Sequence, residues 1–206
     1  MMQPKEAIND FVIKFANVNG TGSASANGMF AKAIFRMGIP VSPRNIFPSN
    51  IQGLPTWYEV RISQDGYLGR RGGIDMMVSV NPQSFAKDVG EVEPGGYMLY
   101  DSTKPLDLRH VRRDIHYLGI PLTEMCLREY TDSRQRQLFK NVIYVGALSA
   151  LLNIDFAILK DLVSEQFKGK EKLITPNIHA LEMGHQFAST HFECPLGIHL
   201  KAGEQT

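Results

Sequence analysis

The spacing of apolar and polar positions changes several times along the chain, and each change marks an element. Residues 11–18, FVIKFANV, are an almost unbroken apolar run rich in β-branched and aromatic side chains, which predicts a buried strand. The stretch NVNGTGSASAN, residues 17–27, follows with two closely spaced glycines. Residues 23–37 then place Met29, Ala33, Ile34 and Met37 at helical spacing, with Ser23 or Ser25 available as N-cap. Strand, glycine turn and helix in this order correspond to the first βα unit of a doubly wound sheet.

Residues 40–73 interrupt that rhythm with four prolines and little helical pattern. Inside them TWYEVRIS alternates as a strand does and runs into the turn QDGY. An insertion of this length in a compact domain points to a functional role. Regular order returns with a strand over residues 74–81, a short helix in PQSFAKDVGEV, and strands over 95–102 and within 112–122. Three helical patterns close the chain: SRQRQLFKNVIYVGALSALLNI, DFAILKDLVSEQFKG with Asp155 as cap, and TPNIHALEMGHQFAS. In the last, Thr175 is the expected cap and Pro176 the expected first helical residue. Residues 191–206 read as a linker-like tail behind one domain of residues 1–190, and that ending suggests a piece of something longer.

Composition narrows the function classes. The chain has 206 residues, 43% apolar and 21% charged, with a formal net charge of +1. No bulk field draws it to nucleic acid or to an anionic membrane. RHVRRD (109–114) and RQRQLFK (134–140) are basic but lack interleaved aromatics, and suit surface or subunit contacts better than nucleic acid. Trp57 beside Tyr58 suits buried packing or a protein interface. Two cysteines, Cys126 and Cys194, form no disulfide framework and are too few for an iron–sulfur cluster built by this chain alone. The start lacks a signal-peptide pattern, and no segment approaches the roughly 18 apolar residues of a membrane span. A soluble cytoplasmic protein is expected.

The glycine loop is the main candidate for chemistry. Gly20, Gly22 and Ser25 have the G-x-G-x-x-small spacing of a dinucleotide fingerprint. The acid expected about 20 residues later is missing, since that region reads IPVSPRN, so a nicotinamide dinucleotide is not expected. Backbone N–H groups at the helix start remain a candidate anion site. The alternative is that the glycines only let the turn close and the helix pack. There is no nucleophile elbow, P-loop lysine or metalloprotease His–Glu pair, so no catalytic residue is assigned. His179, His185, His191 and His199, with Cys194, cluster near the end, but their intervals do not suit metal ligation, and no metal site is assigned. Asp101, Ser102, Arg70 and Arg71 are further polar positions a ligand could meet.

Taken in order, four stretches resemble a known family. They are VIKFANVNGTGSASANGMFAKAIFRMG, SPRNIFPSNIQGLPTWYEVRIS, IDMMVSVNPQSFAKDVGEVEPGGYMLYDS, and FKNVIYVGALSALLNID with TPNIHALEMGHQFA behind it. Together, over residues 11–190, they resemble the γ-type domain of the CoA-dependent 2-oxoacid:acceptor (ferredoxin) oxidoreductases. The resemblance is to the form in which this domain is the N-terminal part of a fused α subunit, with the 2-oxoglutarate enzymes nearest.

The resemblance implies an α/β fold: a three-layer Rossmann-like domain with a mostly parallel sheet, an inserted loop and strand region, and a helical C-terminal part. It implies a role in oxidative decarboxylation of a 2-oxoacid to its acyl-CoA, with this chain inactive alone. Thiamine diphosphate, Mg and [4Fe-4S] clusters are then expected on α and β partner domains, ferredoxin or a similar protein as electron acceptor, and coenzyme A as the substrate near this domain. By the same resemblance, Asn19, Gly20, Thr21 and Gly22, then Ser102 and Lys104, then Asn177 line the CoA side, with Lys104 available to a phosphate. NGTGSASAN departs here from the commoner G-G-x-G loop. Two other readings stay open: a stand-alone nucleotide-binding module, and a purely structural subunit with an empty loop.

Overall fold

The computed structural model describes residues 2–48, 51–67, 69 and 71–203. Its strands are β1 (Ala7–Ile8), β2 (Asp10–Val18), β3 (Val41–Ile46), β4 (Pro55–Ser63), β5 (Ile74–Ser79), β6 (Val92–Asp101), β7 (His116–Ile120) and β8 (Ile198–His199). Its helices are α1 (Ser23–Arg36), α2 (Phe85–Glu91), α3 (Leu122–Glu129), α4 (Ser133–Leu151), α5 (Phe156–Gln166) and α6 (Glu171–His191), with one 3₁₀ turn at Leu108–His110.

The main sheet has six strands in the order β3-β4-β2-β5-β6-β7. β2, β5, β6 and β7 run parallel, while β4 is antiparallel to β2 and β3 antiparallel to β4. The proline-rich insertion is therefore a hairpin that extends the sheet past β2. Its outer strand β3 was not legible in the sequence because Pro43 lies inside it. An edge strand tolerates a residue with no N–H to give.

β2 is central, and both faces of it are covered. Phe11, Ile13 and Phe15 pack against α1, with Phe15 and Phe30 edge to face at 5.1 Å between ring centroids. Val12 and Ala16 face the other way, into a smaller cluster with Met77, Met98 and Val89 of α2. Burial on both sides explains why FVIKFANV reads as continuous rather than alternating. Helices, sheet and α2 give the three layers expected of the fold class, and α3, α4, α5 and α6 supply its helical end.

α4 is the axis of the helical layer. From Asn141 to Leu151 every residue is buried, as an apolar sequence on all sides requires. α6 crosses it closely. Asp155 caps α5 as expected, accepting from the Ala157 N–H at 2.9 Å. The expectation for α6 is corrected: the helix starts at Glu171, so Thr175 does not cap it and Pro176 lies inside its second turn.

The segment read as a linker-like tail, residues 191–206, is packed over its described part. β8 pairs in parallel with β1, and Ile198 and Leu200 are fully buried. The Asn9 side chain donates to the Lys201 carbonyl at 2.7 Å and accepts from the Lys201 N–H at 2.9 Å. Among the described residues, no helix is long and apolar enough to cross a membrane.

Candidate functional site

The parallel strands end along one edge, and the glycine loop leaves β2 there. Gly20 and Gly22 both take positive φ, +88° and +78°, which an L side chain rarely adopts. Gly22 is the residue before the first turn of α1, and among the described residues no side chain caps that helix. The expected serine caps are thus corrected: Ser23 is already helical and buried, and the Ser25 hydroxyl accepts from Gln166 Nε2 at 2.8 Å. No acidic residue stands in the first turn. The positive end of the α1 dipole and its first N–H groups are left for something else to meet.

Two clefts open on either side of this loop and share Gly20 and Gly22. The first, about 420 Å³, is walled by Thr21, Gln52 and the start of α4 with Arg134, Gln137 and Leu138. Arg134 is exposed there and makes no ion pair or hydrogen bond among the described residues. Among the described residues it is the only charged side chain of this cleft. The second, about 290 Å³, lies between the loop and the β3–β4 hairpin. Asn17, Asn19 and Asn27 face Asn45, Thr56 and Tyr58 across it, and none of its described lining residues is charged. Burial raises the Tyr58 phenol above its ordinary pKa and keeps it neutral.

Beneath the loop lies a buried polar frame. Asn27 Nδ2 donates to Asn17 Oδ1 at 2.9 Å, and the Tyr144 hydroxyl of α4 donates to Asn27 Oδ1. Burial holds the Tyr144 phenol far above its ordinary pKa, with the Asn17 and Asn27 bonds working the other way. The loop carbonyls are gripped from outside as well. Asn81 Nδ2 reaches the Asn17 carbonyl at 3.2 Å, and Asn141 Nδ2 reaches the Thr21 carbonyl at 2.9 Å.

The candidate residues divide by position. Gly20, Thr21 and Gly22 line the first cleft, and Asn19, Gly20 and Gly22 the second. Asn19 is locked to the insertion: its N–H donates to the Leu54 carbonyl at 2.9 Å, and its own carbonyl accepts from Gly53 N–H at 3.0 Å. Ser102, Lys104 and Asn177 line neither cleft. Ser102 gives its N–H to the Ile120 carbonyl, Lys104 is exposed, and Asn177 donates back to Leu173 within α6 at 2.8 Å.

The other polar positions are committed elsewhere. Asp101 accepts from the N–H and hydroxyl groups of both Thr103 and Thr123, with Lys140 Nζ at 3.4 Å. Burial alone would raise its pKa, but those bonds and Lys140 bring it below the ordinary carboxylate value. Arg71 pairs with Asp75 and Asp10 near the starts of β5 and β2, the opposite edge of the sheet. Arg70 lies outside the described residues. The four histidines have separate partners: Glu129 for His179, Ser149 for His185, and the Phe187 and Leu196 carbonyls for His191 and His199.

Sequence reasoning missed Gln52, Arg134, Gln137 and Asn141. A signal for three of them was present: Arg134, Gln137, Leu138 and Asn141 stand at i, i+3, i+4 and i+7, one side of a helix.

The chain has relatives among known proteins. The family model described as pyruvate ferredoxin/flavodoxin oxidoreductase matches residues 12–187. The 2-oxoacid:ferredoxin oxidoreductase 2 subunit alpha of Aeropyrum pernix is 23% identical over 90% of this chain. The chain spans only about a third of that relative, 35% of its length. The 2-oxoglutarate synthase subunit KorC of Archaeoglobus fulgidus is 24% identical over 84% of this chain and 88% of its own length.

Solved structures share the fold. A 2-oxoglutarate:ferredoxin oxidoreductase from Magnetococcus marinus, determined with 2-oxoglutarate, coenzyme A and succinyl-CoA bound, superposes with a TM-score of 0.84 at 23% identity. That match covers 95% of this chain and 34% of the other. Pyruvate oxidoreductase subunit PORC from Thermotoga maritima superposes at 0.68 with 21% identity, covering 86% and 96%.

Proposed function

Because the chain belongs to the pyruvate ferredoxin/flavodoxin oxidoreductase family and has the fold of its γ-type members, we propose that it forms the coenzyme A side of a 2-oxoacid:ferredoxin oxidoreductase. One observation carries the reading: two clefts of different electrostatics meet at Gly20 and Gly22. Coenzyme A has an anionic phosphate end and a neutral arm of amides and hydroxyls. The first cleft, with the open start of α1 and the unpaired Arg134, suits the phosphates. The second, uncharged and rich in carboxamides, suits the neutral arm.

In this reading the chain holds and orients one substrate, and bond-breaking belongs to neighbours. Thiamine diphosphate with Mg and [4Fe-4S] clusters would sit on partner α and β domains and supply decarboxylation and electron transfer to ferredoxin. The described residues of this chain offer no group of three or more metal-ligating side chains. Phe47, Ile51 and Leu54 stand exposed along the insertion beside the loop, an apolar rim that a neighbouring domain would cover. The 2-oxoacid is 2-oxoglutarate or a close homologue, by analogy with KorC and the Magnetococcus enzyme.

Calorimetric titration of coenzyme A into the assembled enzyme tests the proposal. Saturation of one site per copy of this chain, weakened by changes at Gly22 and Arg134, is the expected result. Absence of binding, or binding indifferent to both changes, overturns it.

A further inference from the structure

We propose that Asn141, a residue of α4, is a positioning residue for the glycine-loop site, and this rests on the coenzyme A reading above. Gly20 and Gly22 flank Thr21, and glycine moves between positive and negative φ at little cost. The peptide unit joining Thr21 to Gly22 can therefore turn over unless something outside the loop holds it. In a trans peptide the carbonyl and the following N–H point in opposite directions. Whatever grips the Thr21 carbonyl therefore fixes the direction of the Gly22 N–H, the donor that leads into the start of α1.

Asn141 is that grip. Its Nδ2 donates to the Thr21 carbonyl at 2.9 Å across 120 residues of sequence, and also lies 3.3 Å from the Gln137 carbonyl of its own helix. Asn141 is only 3% exposed, so its end of the bond is shielded from water. α4 is a firm base for it. Tyr144, one turn further along, bonds Asn27 beneath the same loop and is fully buried. Thr21 itself contributes a local tie, its hydroxyl donating to the Val18 carbonyl at 2.8 Å, but that bond leaves the Thr21 carbonyl free to turn. Asn141 itself meets no ligand. It acts through the loop.

The test uses the assembled enzyme with Asn141→Leu, which keeps the branched outline of the side chain and removes the donor, and Asn141→Ser, which is smaller and supplies a hydroxyl donor. Steady-state KM is measured for coenzyme A and for the 2-oxoacid, beside the thermal unfolding midpoint. Expected is a rise of about five- to tenfold in the coenzyme A KM for Asn141→Leu, the scale of one lost buried hydrogen bond, with Asn141→Ser in between and the 2-oxoacid KM within about twofold. An unchanged coenzyme A KM in a folded Asn141→Leu enzyme overturns the proposal. So does a parallel loss in both KM values and kcat, or failure of both variants to assemble, since each assigns Asn141 to stability alone. A wild-type enzyme that neither binds nor needs coenzyme A overturns the underlying reading instead, and is recognised before any variant is compared.

Discussion

Gly146 of α4 and Gly184 of α6 mark the point where the two helices cross with their backbones in contact. A Cβ on Gly146 would lie 2.0 Å from the Leu181 carbonyl oxygen, and one on Gly184 would lie 1.9 Å from that of Ile143. The obstacles are backbone atoms, so no side-chain rotation relieves them. One turn on, the Ser149 hydroxyl and His185 Nδ1 meet at 2.7 Å, a contact that depends on the same spacing. Gly146→Ala or Gly184→Ala should force the helices apart and cost about 1–3 kcal/mol, the range of overpacked cores. Thermal or urea unfolding of the full protein reads this out. A midpoint equal to wild type in both variants would mean that the crossing is looser than described.

At Gly22 the cost is of another kind. A Cβ there would come within 2.3 Å of Leu138 Cδ2, the mobile end of a half-exposed side chain that can swing aside into the first cleft. The φ of +78° remains, and costs an L residue about 1–2 kcal/mol. Gly22→Ala should therefore lower stability modestly and raise the coenzyme A KM. Gly66 is a suitable control: its φ is +72°, a Cβ would meet nothing within 4 Å, and it lies in the turn after β4 rather than at the clefts. Gly66→Ala should show a similar stability loss with no change in the coenzyme A KM. Equal effects of both variants on that KM would separate the loop from the site.

The strand, glycine loop and first helix were legible because their signals are local. An apolar run, a φ-permissive turn and a helical period all fall within 27 residues. Asp155 was legible for the same reason, since a cap bonds its own helix. What failed depended on distant partners. Arg134 and Asn141 follow the loop by more than 110 residues; Arg134 reads as part of a basic stretch suited to surface or subunit contacts, and Asn141 as one polar position in an apolar helix, until α4 is seen beside the loop. The short strand β8 exists only against β1, some 190 residues earlier, and its Gly- and Pro-containing sequence carries no period of its own. Pro176 misled through a sound local rule. The proline preference for a first helical position gave way to a start at Glu171, which leaves the Lys172 carbonyl without its helical donor on an exposed turn.

Two cations compete for the phosphate role, and their positions rank them. Among the described residues Arg134 stands unpaired over the first cleft, whereas Lys104 follows the end of β6 and lines neither cleft. Arg134→Ala should raise the coenzyme A KM about tenfold, the scale of one charge-assisted hydrogen bond, and should weaken its dependence on salt. Lys104→Ala should raise it less and leave the 2-oxoacid KM unchanged. Kinetics of both variants at two ionic strengths check the order. A larger effect at Lys104 would place the phosphates beyond the end of β6 rather than beside α4.

Asp101 offers a test through pH. Its carboxylate ties Thr103 to Thr123 at the start of α3 and holds Lys140 at 3.4 Å, and its pKa is lowered from 3.8. A folded-state value below the unfolded one means that the folded protein binds the Asp101 proton more weakly. The contribution is thus fully present above pH 3.8 and disappears as pH falls through the lower folded value. Asp101→Asn should destabilise the protein at neutral pH by about 1–3 kcal/mol, since the amide cannot accept from every donor the carboxylate serves. The gap between variant and wild type should narrow as pH falls below 3.8 and close below the lower folded-state value, where the native carboxyl is protonated as well. Urea unfolding across the acid range follows both. A gap that stays constant with pH would show that the charge of Asp101 contributes nothing and that only the shape of its contacts matters.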